Sequence, residues 1–202
     1  FVVNAFVSLL KRADMTRYEL FLRETRTYEI IEDVKNFRSE IGVLFLNGYN
    51  RDVLTKMFDD NRLTYTSLFK ARPHIFVSKS NPLAKHKVVS LEDLEDFPYL
   101  SYDQGIHNSF YYSEEILSQI PHKKSIVVSD RATLFNLLIG LDGYTIATGI
   151  LNSNLNGDNI VSIPLDIDDE IDIVYLKHEK ATLSKMGEKF LDNLVKEVTF
   201  DN

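Results

Sequence analysis

The chain has 202 residues, 44% of them hydrophobic, with 13 Phe and 10 Tyr, enough apolar mass for one large α/β domain or two small lobes. A formal net charge of −7 argues against nonspecific attraction to a phosphate backbone, and the absence of cysteine excludes disulfides, thiolate metal sites and a Cys nucleophile, in keeping with a reducing cytoplasm. No apolar run approaches the ~20 residues that span a bilayer, so no membrane partner is expected.

The chain opens on Phe1 inside an apolar run without a charged leader, and reads as a fragment rather than a signal peptide. FVVNAFVSLL (1–10) is the first helix; only Asn4 and Ser8 are polar, so it needs cover on more than one side. Tyr18–Glu24 alternates in part and predicts a strand. Thr27–Phe37 places Ile30, Val34 and Phe37 on one helical face. Ile41–Leu46 is a buried strand, Asn47–Asn50 a turn, and Asn50 a cap for a helix through Val53, Leu54, Met57 and Phe58. This β-α-β-α order predicts a parallel sheet with helical crossovers.

Leu63–Phe69 and His74–Val77 are two further strands, broken near Arg72-Pro73. Ser90 with Asp93 forms a capping-box-like start to one short turn. Tyr99-Leu100-Ser101 is a strand, followed by a polar loop and a helix over Ser109–Ile120 with Tyr112, Ile116 and Ile120 on one face. SIVVSDRATLFNLLIGLDGYTIATGIL (125–151) then reads as strand, helix, strand. Its β-branched run Ile126-Val127-Val128 suggests burial on both faces. Ser129 and Asp130 are candidate N-caps. The helix carries Leu134, Leu138 and Leu141 on one side and Phe135 and Ile139 on another, and Gly143 breaks it. Asn152–Asn159 is a loop, Ile160–Leu165 and Glu170–Leu176 are strands, and Thr182 caps a last helix through Met186, Phe190 and Leu194.

Two stretches carry a resemblance. Pro82-Leu83-Ala84, Val88, Ser90-Leu91-Glu92-Asp93-Leu94 and Pro98 fall where LysR-type transcriptional regulators have "hPLa....v.l.dL.d.p", with Asn81 in place of the usual His. Leu137–Ala147 is similar to that family's late "l..lv..G.Gia", although Thr148-Gly149 replaces the usual proline. The resemblance implies an α/β, two-lobed fold like the type 2 periplasmic binding proteins, each lobe a mostly parallel sheet flanked by helices. Lobe one is expected over 1–76 plus 165–202 and lobe two over 77–164, with hinge crossings near Ile75–Ser80 and Ser162–Asp166. It also implies that the first strand of lobe one and a DNA-binding domain lie upstream of Phe1, so that DNA is a partner only through that domain.

No phosphate loop, dinucleotide fingerprint or nucleophile elbow is present, and His74, His86, His107, His122 and His178 show no metal-ligand spacing. Neither an enzyme nor a cofactor or metal is expected. Polar residues at expected strand ends are the better candidates for a site: Asn47, Gln104, His107, Asn108, Ser129 and Thr148. By resemblance these contact a small effector, a carboxylate or an amino-acid-like compound, between the lobes; capping and turn chemistry is the competing role for each. Arg131 either anchors an anionic group or covers its helix with its stem. The two apolar helices suggest a dimer, or a dimer of dimers, and the resemblance implies an antiparallel pairing of Val3, Phe6, Val7 and Leu10 of one with Leu134, Phe135 and Leu138 of the other across a two-fold axis. The expected function is effector sensing and dimerisation in a cytoplasmic transcriptional regulator. The alternatives are a solute-binding protein of an uptake transporter and a small α/β enzyme working in the same cleft.

Overall fold

The computed structural model describes residues 1–12, 16–151 and 158–199, with side chains to Lys196. Among the described residues the α-helices are α1 (Val2–Arg12), α2 (Thr27–Lys35), α3 (Arg51–Asp60), α4 (Arg131–Gly140) and α5 (Lys185–Thr199). The strands described are β1 (Gly42–Leu46), β2 (Leu63–Ala71), β3 (His74–Ser78), β4 (Tyr99–Tyr102), β5 (Ser125–Val128), β6 (Tyr144–Ala147), β7 (Ile160–Pro164) and β8 (Ile171–His178). They form two sheets, β1-β8-β2 and β5-β4-β6-β3-β7, each the floor of one lobe.

The first sheet is antiparallel and the second is mixed, rather than mostly parallel. β8 runs antiparallel to both β1 and β2 and separates them, and β3 is antiparallel to β6 and β7. Only β5-β4 and β4-β6 are parallel. The reason is the double crossing between sheets. The chain leaves the first sheet through β2–β3 and returns through β7–β8, and each return strand enters beside strands already laid down. The strand-helix-strand unit of 125–147 is likewise not a paired couple, because β4 lies between its two strands. β5 is therefore an edge. It is not buried on both faces, and Val127 is 60% exposed.

Three apolar clusters hold the lobes. Ile31, Val34, Leu46, Leu54, Phe58 and Leu176 fill the first, between α2, α3 and their sheet. Leu134 and Leu138 of α4 pack on Phe76, Leu100, Val128 and Ile160 in the second lobe. The third runs through the crossing itself, joining Ile75, Val77, Tyr144 and Ile163 to Ile171 and Ile173 of β8. Leu165 N–H donates to Pro73 O at 3.0 Å and Val89 N–H to Pro164 O at 3.0 Å, tying the two crossing strands together.

Four local expectations are corrected. Residues 18–24 form no strand: no ladder partner lies alongside among the described residues, and Phe21 is 80% exposed. Arg23 pins the segment to α2 through buried Asp33 at 2.8 Å. α2 stops at Lys35, and Phe37 turns out of it with φ +56° to lie against the His178 ring. Residues 109–120 hold only a single 3-10 turn, Phe110–Tyr112, because Glu115 turns inward to accept the Tyr102 N–H and Leu117 takes φ +63°. α5 is capped by Ser184, not Thr182; the Ser184 hydroxyl accepts from Gly187 N–H at 3.0 Å. The loop expected over Asn152–Asn159 lies largely outside the described residues.

Gly143 matters for a reason other than the expected one. The positive φ that ends α4 belongs to Asp142 (+50°), whereas Gly143 is needed for close approach: a Cβ there meets Pro98 O at 3.1 Å and Leu100 Cδ1 at 3.0 Å. Gly143→Val therefore destabilises by about 2 kcal/mol or more through overpacking, while Asp142→Gly is neutral or gains up to about 1 kcal/mol. Urea melts of the two variants check this ordering.

Candidate functional site

A cavity of about 260 Å³ opens where the two lobes face each other. The first lobe supplies Glu24, Thr25, Arg26 and Glu29, the residues that lead into and open α2. The second lobe supplies Tyr102 and Asp103 at the end of β4, Glu114 from the following loop, and Ser129, Asp130 and Arg131 at the start of α4. Strand ends and helix starts converge here because both β4 and β5 deliver their carboxyl ends to this side of the parallel part of the sheet.

Two ion pairs cross the gap. Arg131 donates through Nε (2.9 Å) and Nη2 (2.6 Å) to one oxygen of Glu24. Arg26 donates through Nε to Asp103 O and through Nη2 to Asp103 Oδ2, both at 2.8 Å. Gly105, at φ +62°, gives Arg26 its place: a Cβ there meets Nη1 at 2.8 Å. Arg26 Nη1 also reaches Glu29 at 3.2 Å, and the Thr25 hydroxyl donates to the same carboxylate. Glu29 is accordingly held below its usual carboxylate range, chiefly by Thr25. Asp130 caps α4, accepting from Thr133 N–H at 2.9 Å and Thr133 Oγ1 at 2.7 Å, and these bonds depress its pKa. Ser129 is thus not the cap and stands on the cavity wall.

Two neighbouring acids, Glu114 in the wall and Glu115 behind it, behave differently. Burial, then the neighbouring Glu24 charge, pushes Glu114 up to about 7, against the opposing effect of a Gln104 hydrogen bond. Glu115, only 4% exposed, is pushed up to about 8 by burial, although its Oε1 accepts the Tyr102 N–H at 2.7 Å.

A second contact closes the cleft beside the cavity. The loop after β4 lays His107 flat on Tyr28 of α2, with ring centroids 3.5 Å apart, and Tyr111 on Tyr49 at 4.8 Å. Tyr112 stands edge-on to Tyr28 and packs against the first-lobe core.

The six residues singled out from the sequence are not brought together. Ser129 lines the cavity, and Gln104 sits behind it, bonded to Tyr102 O at 3.3 Å. Asn47 lies at a different cavity, with Arg51, Arg72 and Asp168–Glu170, and its Oδ1 accepts from Tyr49 and Asn50 N–H in a turn. His107 is taken up by Tyr28, and Asn108 is exposed on the same loop. Thr148 follows β6, beside a Gly149 that packs on His74. The charged residues Glu24, Arg26, Asp103 and Glu114 escaped sequence reading. Their roles come from contacts across about 80 to 110 positions of chain, for which the sequence carries no local signal.

Of the helix residues read as a dimer seam, Leu134 and Leu138 are corrected: both are buried inside their own lobe. The apolar surface left on α4 includes Phe135 and Leu137, partly covered, and Ile139, 44% exposed. On α1, Ala5 and Leu9 are buried and Phe6 meets Phe190 of α5 edge-on, while Val3 is 41% exposed and Val7 and Leu10 are half-buried.

A two-lobed domain with a polar cavity between the lobes is the architecture of small-molecule sensors and carriers. The chain belongs to the LysR substrate binding domain family, whose model matches residues 12–199, and it is the effector-sensing part of a regulator rather than of a transporter. Solved structures share the fold at low identity. The QuiR effector-binding domain in complex with shikimate is 17% identical with a TM-score of 0.61, over 96% of this chain and 88% of that one. The reduced OxyR regulatory domain from Pseudomonas aeruginosa is 11% identical with a TM-score of 0.66, over 98% and 90%. HinK, a LysR family regulator from Pseudomonas aeruginosa, is 15% identical with a TM-score of 0.61, and this chain spans only 64% of it. No curated protein matches the chain. No helix among the described residues is long and apolar enough to cross a membrane.

Two expected outcomes follow from this geometry. Gly105→Ala forces Arg26 off Asp103, and hydrogen exchange of residues 24–29 and 102–105 rises while the cores keep their protection. The second concerns pH. Glu115 has its folded pKa raised above the unfolded value of 4.5, so its contribution is fully present below about pH 4.5 and is lost as pH climbs through about 8. Glu115→Gln, which keeps an acceptor for Tyr102 N–H, flattens that decline. Thermal melts from pH 5 to 9 show the variant gaining on the parent as pH rises.

Proposed function

We propose that this chain binds a small polar metabolite in the cavity between its lobes and passes the resulting lobe angle to DNA-binding heads through a dimer. The observation that carries the reading is the pair of cross-lobe contacts, Arg131–Glu24 and Arg26–Asp103, in the wall of that cavity. A ligand that interacts with these groups differently in two lobe arrangements shifts the balance between them, since only differential affinity moves a conformational equilibrium. The lobe boundaries proposed are 1–76 plus 165–202 and 77–164, a division supported by the separation of β1, β2 and β8 from β3 to β7 in two sheets, the first boundary falling within β3. The effector-binding domain of QuiR is solved in complex with shikimate and that of BenM with its effector benzoate, which supports a small organic effector for this chain. Of the two classes expected from sequence, the amino-acid-like one suits a wall bearing both signs of charge better than a simple carboxylate. Ser129 and Gln104 are the contacts retained from the sequence reading. The protein is proposed to act in the cytoplasm as a regulator and not as an enzyme, with DNA bound by a separate domain.

The dimer proposed pairs the Val3, Val7 and Leu10 stripe of α1 with Phe135 and Ile139 of α4 on a second copy, an isologous contact used twice. Sedimentation at tens of micromolar is expected to show twice the 23.3 kDa chain mass, with Ile139→Asp reverting to the single-chain species without loss of fold. A parent that sediments only as a single chain rules the dimer out. For the cleft, Ser129→Phe in the full-length regulator is expected to abolish a metabolite-dependent reporter response at unchanged protein level. An undiminished response places the effector elsewhere.

A further inference from the structure

The cavity wall is more acidic than a carboxylate-binding site should be. Glu24, Glu29, Asp103, Glu114 and Asp130 face only Arg26 and Arg131. Four of the five acids already have strong partners. Glu24 takes Arg131, Asp103 takes Arg26, Glu29 takes Arg26 and Thr25, and Asp130 takes the first-turn N–H and hydroxyl of Thr133. Among the described residues Glu114 alone of the five has neither an ion pair nor a capping role.

Glu114 is also held in place. Gln104, about nine-tenths buried, lies against it and lowers its pKa; Gln104 Nε2 donates to Tyr102 O at 3.3 Å, while its Oε1 is buried without a partner. Tyr102 lines the same cavity and brings an aromatic side chain, of the kind that pairs with cations, into its wall. An anionic ligand must strip Arg131 from Glu24 or Arg26 from Asp103 before it gains a partner, and it then leaves a carboxylate unpaired. A cationic ligand displaces nothing.

Resting on the cleft reading above, we propose that Glu114 determines the specificity of this site and that the effector presents a cationic nitrogen, a primary amine, to it. An amino-acid-like compound satisfies this with its ammonium group, and a diamine does so with either end.

The charged groups that face Glu114 are Glu24, Arg26 and Arg131, with Glu115 next to it in the chain and Gln104 as its neutral donor. Glu114 titrates at about 7, and its charged form is the one that pairs with an amine. Amine affinity therefore rises roughly tenfold from pH 6 to pH 8, the ratio of ionised Glu114 at the two values. A carboxylate ligand gains nothing over that range.

The test is calorimetric titration of the chain with putrescine, ornithine, glutarate and benzoate at pH 6 and pH 8, repeated on Glu114→Gln and Ser129→Phe. The expected result is binding of at least one amine, about tenfold tighter at pH 8, with that pH dependence and at least tenfold of affinity lost in Glu114→Gln, and binding lost in Ser129→Phe. Amine binding unmoved by Glu114→Gln overturns the inference, as does the failure of both amines to bind at millimolar concentration. Carboxylate binding that Ser129→Phe abolishes overturns it too but leaves the cleft reading standing. Binding of any of the four that Ser129→Phe leaves unchanged defeats both. Glu114→Gln removes a costly buried charge, so a folding defect does not confound it; thermal melts of each variant confirm this.

Discussion

The rest of the structure depends on the apolar seam that runs through the crossing between the two sheets. Ile75 and Val77 of β3, Ile163 of β7, and Ile171 and Ile173 of β8 belong to one buried cluster, although they serve two different sheets. Two strands passing between lobes through a shared core restrict the lobes to motions that keep those side chains out of water. That restriction gives the cleft a repeatable geometry. Without it, Arg131 and Glu24, 107 residues apart in sequence, would have no fixed reason to meet.

On this hinge the cleft is closed in two chemically different ways. At the cavity the contacts are charged and partly exposed: Arg131 and Glu24 have side chains 51% and 59% accessible. Pairs of that kind contribute little to stability, because solvent screens them and two long side chains lose freedom. Beside it, His107 stacks on Tyr28 with Tyr112 edge-on to both, and Tyr111 lies on Tyr49. Aromatic contacts keep more of their strength in water. The division suits a sensor. The aromatic side keeps the lobes in register, and the charged side exchanges partners at low cost when a polar ligand arrives.

The acids around the cavity show how environment sorts chemically identical groups. Hydrogen bonds from Thr25 and Thr133 hold Glu29 and Asp130 in their charged forms, while burial pushes Glu114 and Glu115 toward neutrality near physiological pH. Glu115 spends its acceptor on the Tyr102 N–H, turning the chain inward where a regular helix would otherwise continue. The same inward turn brings Glu114 to the cavity wall.

The sequence by itself determined most of the elements and the family resemblance. β-branched and aliphatic runs marked β1, β3, β6 and β7, helical spacing marked α3 and α4, and Ser90 with Asp93 marked a reciprocal cap that forms as expected. These signals are local, set by side-chain period and by bonds within a few residues. Tertiary structure alone decided the rest. β4 entered between β5 and β6, Leu134 and Leu138 turned to their own lobe's core, and the cavity wall gathered arginines and carboxylates where amides, hydroxyls and a histidine were expected. Which apolar face is covered, and which charge finds a partner, depends on what the distant chain brings alongside. That is fixed by packing across the hinge, and no window of sequence contains it.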